Sequence, residues 1–346
     1  MTASSESTHD SDPYANRRRW VGPVVGLLLL AVAWGALSLG AVSVPTGEVL
    51  GVLAHKVGID VFAESSAQAE AVVWGLRMPR MLLAFTVGAT LALTGGVLQG
   101  LLRNNLADPH LLGIGPGAAI GAAIGSSAGG VQGAIAGGVA AGVMSAFAIR
   151  RLTRGASIDP TRIILSGVAL GAALSAWAGF IVFAADRATV PPIEFWLLGS
   201  LAGSTWRAFG TVIVFVAIAA TVMLASARIL DIFRLGESDA RHLGIDVDLV
   251  RTVILIAVGA AVGATVGAAG VIAFVGLLVP FVVIRFTGPL HRHLLVVSLA
   301  GGALFVAASD LVARLAIQPI EIPVGLVTAA VGGPVFLWLL TRRRDA

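Results

Sequence analysis

Few side chains in this 346-residue chain could make or break bonds, and their placement argues against it. Cysteine is absent, which removes thiol catalysis, thiolate metal sites and a disulfide framework. The single lysine, Lys56, follows His55 and sits outside any Gly-x-x-x-x-Gly-Lys loop, so the chain has no means of gripping the phosphates of ATP. His291-Arg292-His293 sets two imidazoles two residues apart, a spacing that could suggest a metal, but histidines in a loop between apolar runs are read here as solvated. No Asp, Glu, Lys, Arg or His falls near the middle of an apolar run. A carrier coupled to protons or ions ordinarily keeps an ionisable group at membrane depth, and a pore for bare metal ions needs rings of oxygen or imidazole. The chemistry left is charge recognition at the ends of the runs. Arg77, Arg80 and Arg314 are the arginines placed for it.

The elements that position these groups are membrane helices. The chain is 57% hydrophobic and 12% charged, with a mean hydropathy of +0.93, whereas soluble domains carry about 25% charged residues. Its 43 glycines suit helices packed through small faces. Residues 1–19 are polar and end in Arg17-Arg18-Arg19; they read as a disordered tail, and the uncharged run from Trp20 to Pro45 as a retained first helix. Met81–Leu102, Ile163–Ala185, Ala208–Ala227, Leu294–Ser309 and Ile322–Thr341 each give one span. Leu111–Ile149 is long enough for two, split at Gly125–Gly130. Thr252–Ile284 has no charge over 33 residues and a Gly-Ala-Ala-Gly break at Gly267–Gly270. A full span needs about 20 residues, so this run is an interrupted pair, the device by which transport proteins bring irregular backbone to membrane depth. The expected fold is an all-α integral membrane protein of about ten transmembrane helices, forming one domain over residues 20–346.

Charge gives the orientation. One side collects Arg17–Arg19, Arg103, Arg150, Arg151, Arg154, Arg162, Arg228, Arg234, Arg241, Arg251, Arg285, Arg292 and Arg342–Arg344. The other keeps Lys56, Arg77, Arg80, Arg187, Arg207 and Arg314. The positive-inside rule makes the first side cytoplasmic and puts both termini there. On that side lies a polar segment, Asp231–Val250. Gly236 offers a turn, Ser238 or Asp239 a cap, and Ala240, Leu243 and Ile245 a small apolar face. It suits either a docking peg for a soluble partner or an ordinary interfacial loop.

Several segments together resemble the permease subunits of type II ABC importers, the FecCD family that carries ferric siderophores, haem and vitamin B12. These are Leu76-Arg-Met-Pro-Arg80, Gly95–Gly100 followed by Asn104–Pro109 and Leu112-Gly113, Gly236–Ala240 with Leu243-Gly244, Gly270–Pro280, and Glu321-Ile-Pro323 with Gly325, Thr328, Gly332 and Pro334–Phe336. The likeness runs in order from Trp20 to the C-terminus. Two positions depart from it: Asn105 stands where the family usually has Pro, and Phe281 where it commonly has His.

The resemblance implies that helices 2–5 and 7–10 form an inverted repeat. It also implies a second permease chain, identical or not, two ATP-binding cassette subunits that bind ATP and Mg, and a binding protein outside. The chain itself would hold no cofactor and catalyse no reaction. Arg77, Arg80 and Arg314 would receive carboxylates of the binding protein. Gly236, Glu237, Ser238, Asp239, Ala240, Arg241, Leu243 and Gly244 would face the ATPase, and Pro160 with Thr161 would form a cytoplasmic gate, although Asp159 and Pro160 equally suit a helix start. Pro191–Ser200 reads as a short outer helix whose Trp-Leu-Leu-Gly-Ser wording is closer to siderophore permeases. The expected cargo is a ferric siderophore, with haem or vitamin B12 as the alternative. A stand-alone secondary carrier is the reading from a different class. The expected location is the bacterial cytoplasmic membrane.

Overall fold

A computed structural model of the chain describes residues 14–59, 65–152, 160–184 and 194–341. Among them every regular element is a helix: α1 Ala15–Ser38, α2 Thr46–Lys56, α3 Ala67–Leu101, α4 Ile114–Leu152, α5 Pro160–Ala184, α6 Glu194–Leu198, α7 Trp206–Ala225, α8 Ala227–Phe233, α9 Glu237–His242, α10 Val247–Ala269, α11 Val275–Thr287, α12 His291–Leu315 and α13 Val324–Thr341. α1, α3, α4, α7, α10 and α12 are long and apolar enough to cross a membrane. The chain is an integral, multi-pass membrane protein.

Local chemistry sets several boundaries. Ser66, Thr205 and Asp246 each accept a hydrogen bond from a backbone N–H three residues on, at 2.9–3.1 Å, which starts α3, α7 and α10. α1 begins at Ala15, so Arg17–Arg19 belong to its first turns and do not precede it. Arginine is a good helix former, and the triplet carries the helix out towards water. Within α3, Ala71–Arg77 winds as a π-helix just before Pro79. Pro79 has no N–H to give the carbonyl one turn earlier, and a wider turn re-pairs the backbone around it. α4 is two helices in one: Gly129 (φ −151°) and Gly130 (φ 55°) leave the helical region, and the chain folds back at the place expected for the break.

The core is a set of glycine seams. Small residues four apart lie on one helix face. Ala134, Gly138 and Gly142 of α4 face Gly267, Gly263 and Gly259 of α10 in antiparallel register. A methyl on Gly259 would lie 2.6 Å from the Gly142 carbonyl, and one on Gly267 2.6 Å from the Ala134 carbonyl. Gly88 of α3 meets Gly302 of α12, and Gly95 meets Gly276 of α11, so the backbones of these pairs also touch. In a membrane, where lipid competes for apolar surface, such backbone approach is a main source of helix adhesion.

Candidate functional site

The interrupted span folds as its glycines foretell. α10 ends at Ala269, Gly270 closes its last helical bond to the Val266 carbonyl at 2.8 Å and turns with φ 69°, and residues 271–273 run irregularly before Phe274 caps α11 at Val275. Phe274, at the helix start, takes the left-handed conformation at φ 69°. Irregular backbone at depth is tolerated only where protein satisfies it, and here it does. Val271 N–H donates to the Trp196 carbonyl at 2.8 Å, Ser200 N–H to the Ala269 carbonyl at 2.8 Å, and Gly325 N–H to the Gly199 carbonyl at 3.3 Å. The region around α6, the break after α10 and the start of α13 is thus joined through main chain. Phe274 packs its ring over Gly332 of α13.

Beside the first turn of α11 sits a polar group that no apolar run reveals. Gln99 of α3 donates to the carbonyls of Gly276 and Leu277 at 3.2 and 3.3 Å. The loop after α3 folds inward and buries Asp108, whose Oδ1 accepts the His110 N–H at 2.8 Å. Asp108 Oδ2 packs against Gly276 with no hydrogen-bond partner, and neither ring nitrogen of His110 has one. Gln99 lies within the Met81–Leu102 run, where a single uncharged polar residue does not stand out, and the Asp108-Pro109-His110 sequence was the one available signal that a connecting loop could carry charge into the interior.

Arg77, Arg80 and Arg314 come together at the end opposite the arginine-rich side, around a small cavity that also touches Glu321. They do not offer free charge to solvent. Arg77 is buried because the end of α1 and the chain after it wrap it, with the carbonyls of Leu37 and Ser38 at 2.6 and 2.9 Å and that of Val42 also accepting from it. Arg80 grips Asp310 of α12 through Nε and Nη2 at 2.9–3.2 Å and Glu321 through Nη1 at 2.8–3.1 Å. Arg314 reaches the Ala36 carbonyl at 3.4 Å, and its Nε stands 3.3 Å from Asp310 without the direction of a hydrogen bond. Glu321 is the exposed member of the group, with 44% of its side chain accessible. Arg314 and Asp310, one turn apart on α12, thus meet as a charge contact.

The polar segment Asp231–Val250 forms the end of α8, then α9 and the start of α10. Gly236, at φ 140°, makes the turn into α9, and Gly244, at φ 81°, the turn out. Glu237 faces inward: Arg251 of α10, almost fully buried, donates to it at 2.7 Å, and Arg241 lies 3.9 Å away. Ala240 is buried beneath α9. Of the small apolar face expected from Ala240, Leu243 and Ile245, Leu243 at the C-cap of α9 points out with 64% exposure, and Leu235, just before the helix, is 70% exposed. Ser238, Asp239, Arg241 and Gly244 are exposed alongside them. Arginines read only as topology signals turn out to be structural. Arg150 pairs with Asp248 at 2.5 Å and with Thr252 at 3.1 Å. His291 is buried and bonded to Asp231 at 2.7 Å, and His293 contacts Arg18 at 3.0 Å, so this motif is packed and not solvated. Pro160 opens α5; its side chain and that of Thr161 lie outside the described residues, as does Pro191–Ile193.

Comparison with known proteins gives one family. Residues 27–342 match the FecCD transport family. The cobalamin import system permease protein BtuC of Halobacterium salinarum is 39% identical over 278 residues, covering 80% of this chain and 74% of that one. The vitamin B12 import system permease protein BtuC of Klebsiella pneumoniae is 35% identical over 332 residues, covering 94% and 95%. The hemin transport system permease protein HmuU of Yersinia pestis is 33% identical over 328 residues, covering 92% and 94%. Among solved structures, a metal-chelate type ABC transporter in an inward-facing conformation superposes with a TM-score of 0.80 and 28% identity, covering 94% of this chain and 99% of that one.

Proposed function

The chain belongs to the FecCD transport family and is a permease subunit of an ABC importer, and we propose that it lines the path of a bulky metal chelate driven by ATP hydrolysis in partner subunits. The observation that carries this is the satisfied break at residues 270–274: irregular backbone is held with main-chain bonds to Trp196, Ser200 and their neighbours, and the buried carboxylate nearby, Asp108, packs against Gly276 of α11 and not into the break itself. The stand-alone carrier gives way to this reading. Counting the two arms of α4 apart, and adding α5, α11 and α13 to the long helices, supports ten crossings with both termini cytoplasmic. The loop 102–113 leading into α4 and the break leading into α11 support the inverted repeat.

The ATPases dock on α9 and the residues flanking it: exposed Asp239 and Arg241 of the helix, with Leu235 before it and Leu243 at its C-cap, form the contact, while Glu237 anchors it to α10. A delivery protein docks on the opposite end, where Arg77, Arg80 and Arg314 organise the surface from within and Glu321 meets solvent. Pro160 and Thr161 remain the proposed cytoplasmic gate. A second permease chain completes the path. The wording Trp196–Ser200 favours a ferric siderophore as cargo; the relatives named for cobalamin and hemin favour those chelates as the second reading. Proteoliposomes holding the full complex, tested with labelled ferric siderophore, haem and cobalamin, decide among them. Uptake should require ATP and survive a protonophore. Uptake without ATP that a protonophore abolishes would refute the mechanism.

A further inference from the structure

We propose that the groove between α1, α11 and α12 binds one anionic phospholipid, its acyl chains between the helices and its phosphate held by Arg17 and Arg285. The groove has a volume of about 610 Å³ and apolar walls that include Val24, Val25, Val282, Phe286, Val297 and Phe305. Arg17 is the one charged residue in its lining, and Trp20 flanks it. α1 buries little of itself against the rest of the chain, so this slot stays open along a helix that belongs in the bilayer.

The rim supplies the charge. Arg17 Nη1 donates to the Arg285 carbonyl at 3.3 Å, which ties Arg17 to the last turn of α11 at the rim of the slot. The guanidinium of Arg285 rests 5.3 Å from the Phe281 ring centre and its side chain is exposed. Among the described residues no carboxylate forms an ion pair with Arg17, Arg19, Arg285 or Arg292. Unneutralised arginine above an apolar slot, with a tryptophan at the same level, complements a phosphodiester head on two hydrocarbon chains. Free phosphate would satisfy the charge and leave the slot empty. A second copy of the chain would fill the slot and leave the charge unmet.

The test is native mass spectrometry of the intact complex released from nanodiscs of equal phosphatidylglycerol and phosphatidylcholine. One phosphatidylglycerol per chain should stay bound in preference to phosphatidylcholine. The double variant R17Q/R285Q should lose about 30-fold of that preference, the equivalent of ~2 kcal/mol at 1.4 kcal/mol per tenfold, taken from about 1 kcal/mol for each arginine near an anionic surface. Arg18 and Arg19 remain in it to hold the orientation, and R285Q alone should show about 5-fold. V24W, which puts an indole in the groove, should abolish retention with every charge intact. Equal retention of the two lipids, or retention unchanged in R17Q/R285Q and R285Q, overturns the proposal. So does displacement by millimolar inorganic phosphate, which would mean an anion site alone, or loss of permease pairing in V24W, which would assign the groove to a second copy.

Discussion

Replacing Asp310 with Ala should destabilise the end of the bundle that holds Arg80 and Arg314, far more than any change at the exposed rim of the same cluster. Asp310 is 2% exposed and takes three contacts from Arg80 within 3.2 Å, with Arg314 Nε at 3.3 Å. Its removal leaves two mostly buried guanidinium groups without their shared counter-charge. Breaking a buried pair on one side costs about 3–5 kcal/mol. Glu321 bonds the same arginine at 2.8 Å, but its side chain is 44% exposed, so Glu321→Ala should cost only about 0–1 kcal/mol. The Arg80–Asp310 coupling in a double-mutant cycle should be about 1.5–3 kcal/mol, the value for hydrogen bonds to charged groups. The assay is unfolding of the purified chain in nanodiscs for Asp310→Ala, Arg80→Ala, the pair and Glu321→Ala. Association of the delivery protein, read in parallel, should not weaken in Asp310→Ala beyond the loss of folded chain, because the arginines are then freer to meet carboxylates. An Asp310→Ala cost no greater than that of Glu321→Ala would refute the view that this cluster is an internal clamp.

Glu237→Ala should disrupt ATPase association more than Arg241→Ala, because it frees α9 from the buried Arg251; pull-down of the ATPase from membranes with normal permease content measures this, and equal recovery from both variants would count against the anchor. Leu235→Asp with Leu243→Asp should reduce ATPase recovery and coupled hydrolysis while insertion stays normal, whereas unchanged hydrolysis would remove α9 from the contact. Gly259→Val should separate α4 from α10, since even a methyl would sit 2.6 Å from the Gly142 carbonyl; overpacking of this kind costs about 1–3 kcal/mol and should lower the yield of folded chain on size exclusion.

The spans were legible because the physics that makes them is written in runs: a charge-free stretch and a Gly-rich break translate directly into α10, residues 270–274 and α11, and the Gly125–Gly130 stretch into the fold-back of α4 at Gly129–Gly130. Side-chain direction was not legible. Ala240 lies in α9 and Leu243 caps its end, yet one is buried and the other exposed, because a helix of six residues is too short for periodicity to choose its inner face. Charge pairing across distant segments was equally hidden. Nothing near Arg80 announces Asp310, 230 positions away, and nothing near Asp108 announces Gly276. The same arginine can orient a span and hold a buried carboxylate, and a single sequence displays only the first of these.

The three main-chain bonds that join Trp196, Gly199 and Ser200 to Ala269, Val271 and Gly325 use no side chain. Their persistence is therefore blind to what the neighbouring side chains are, apart from two glycines: Gly199, whose φ of 64° and closeness to the Val271 carbonyl exclude a Cβ, and Gly325, where a Cβ would lie 2.3 Å from the Leu198 carbonyl. A joint of this kind separates inheritance of shape from inheritance of selectivity. Descendants of such a chain could exchange nearly every residue that faces a cargo and still keep the same bend, because the bend is recorded in the backbone and in two missing methyl groups.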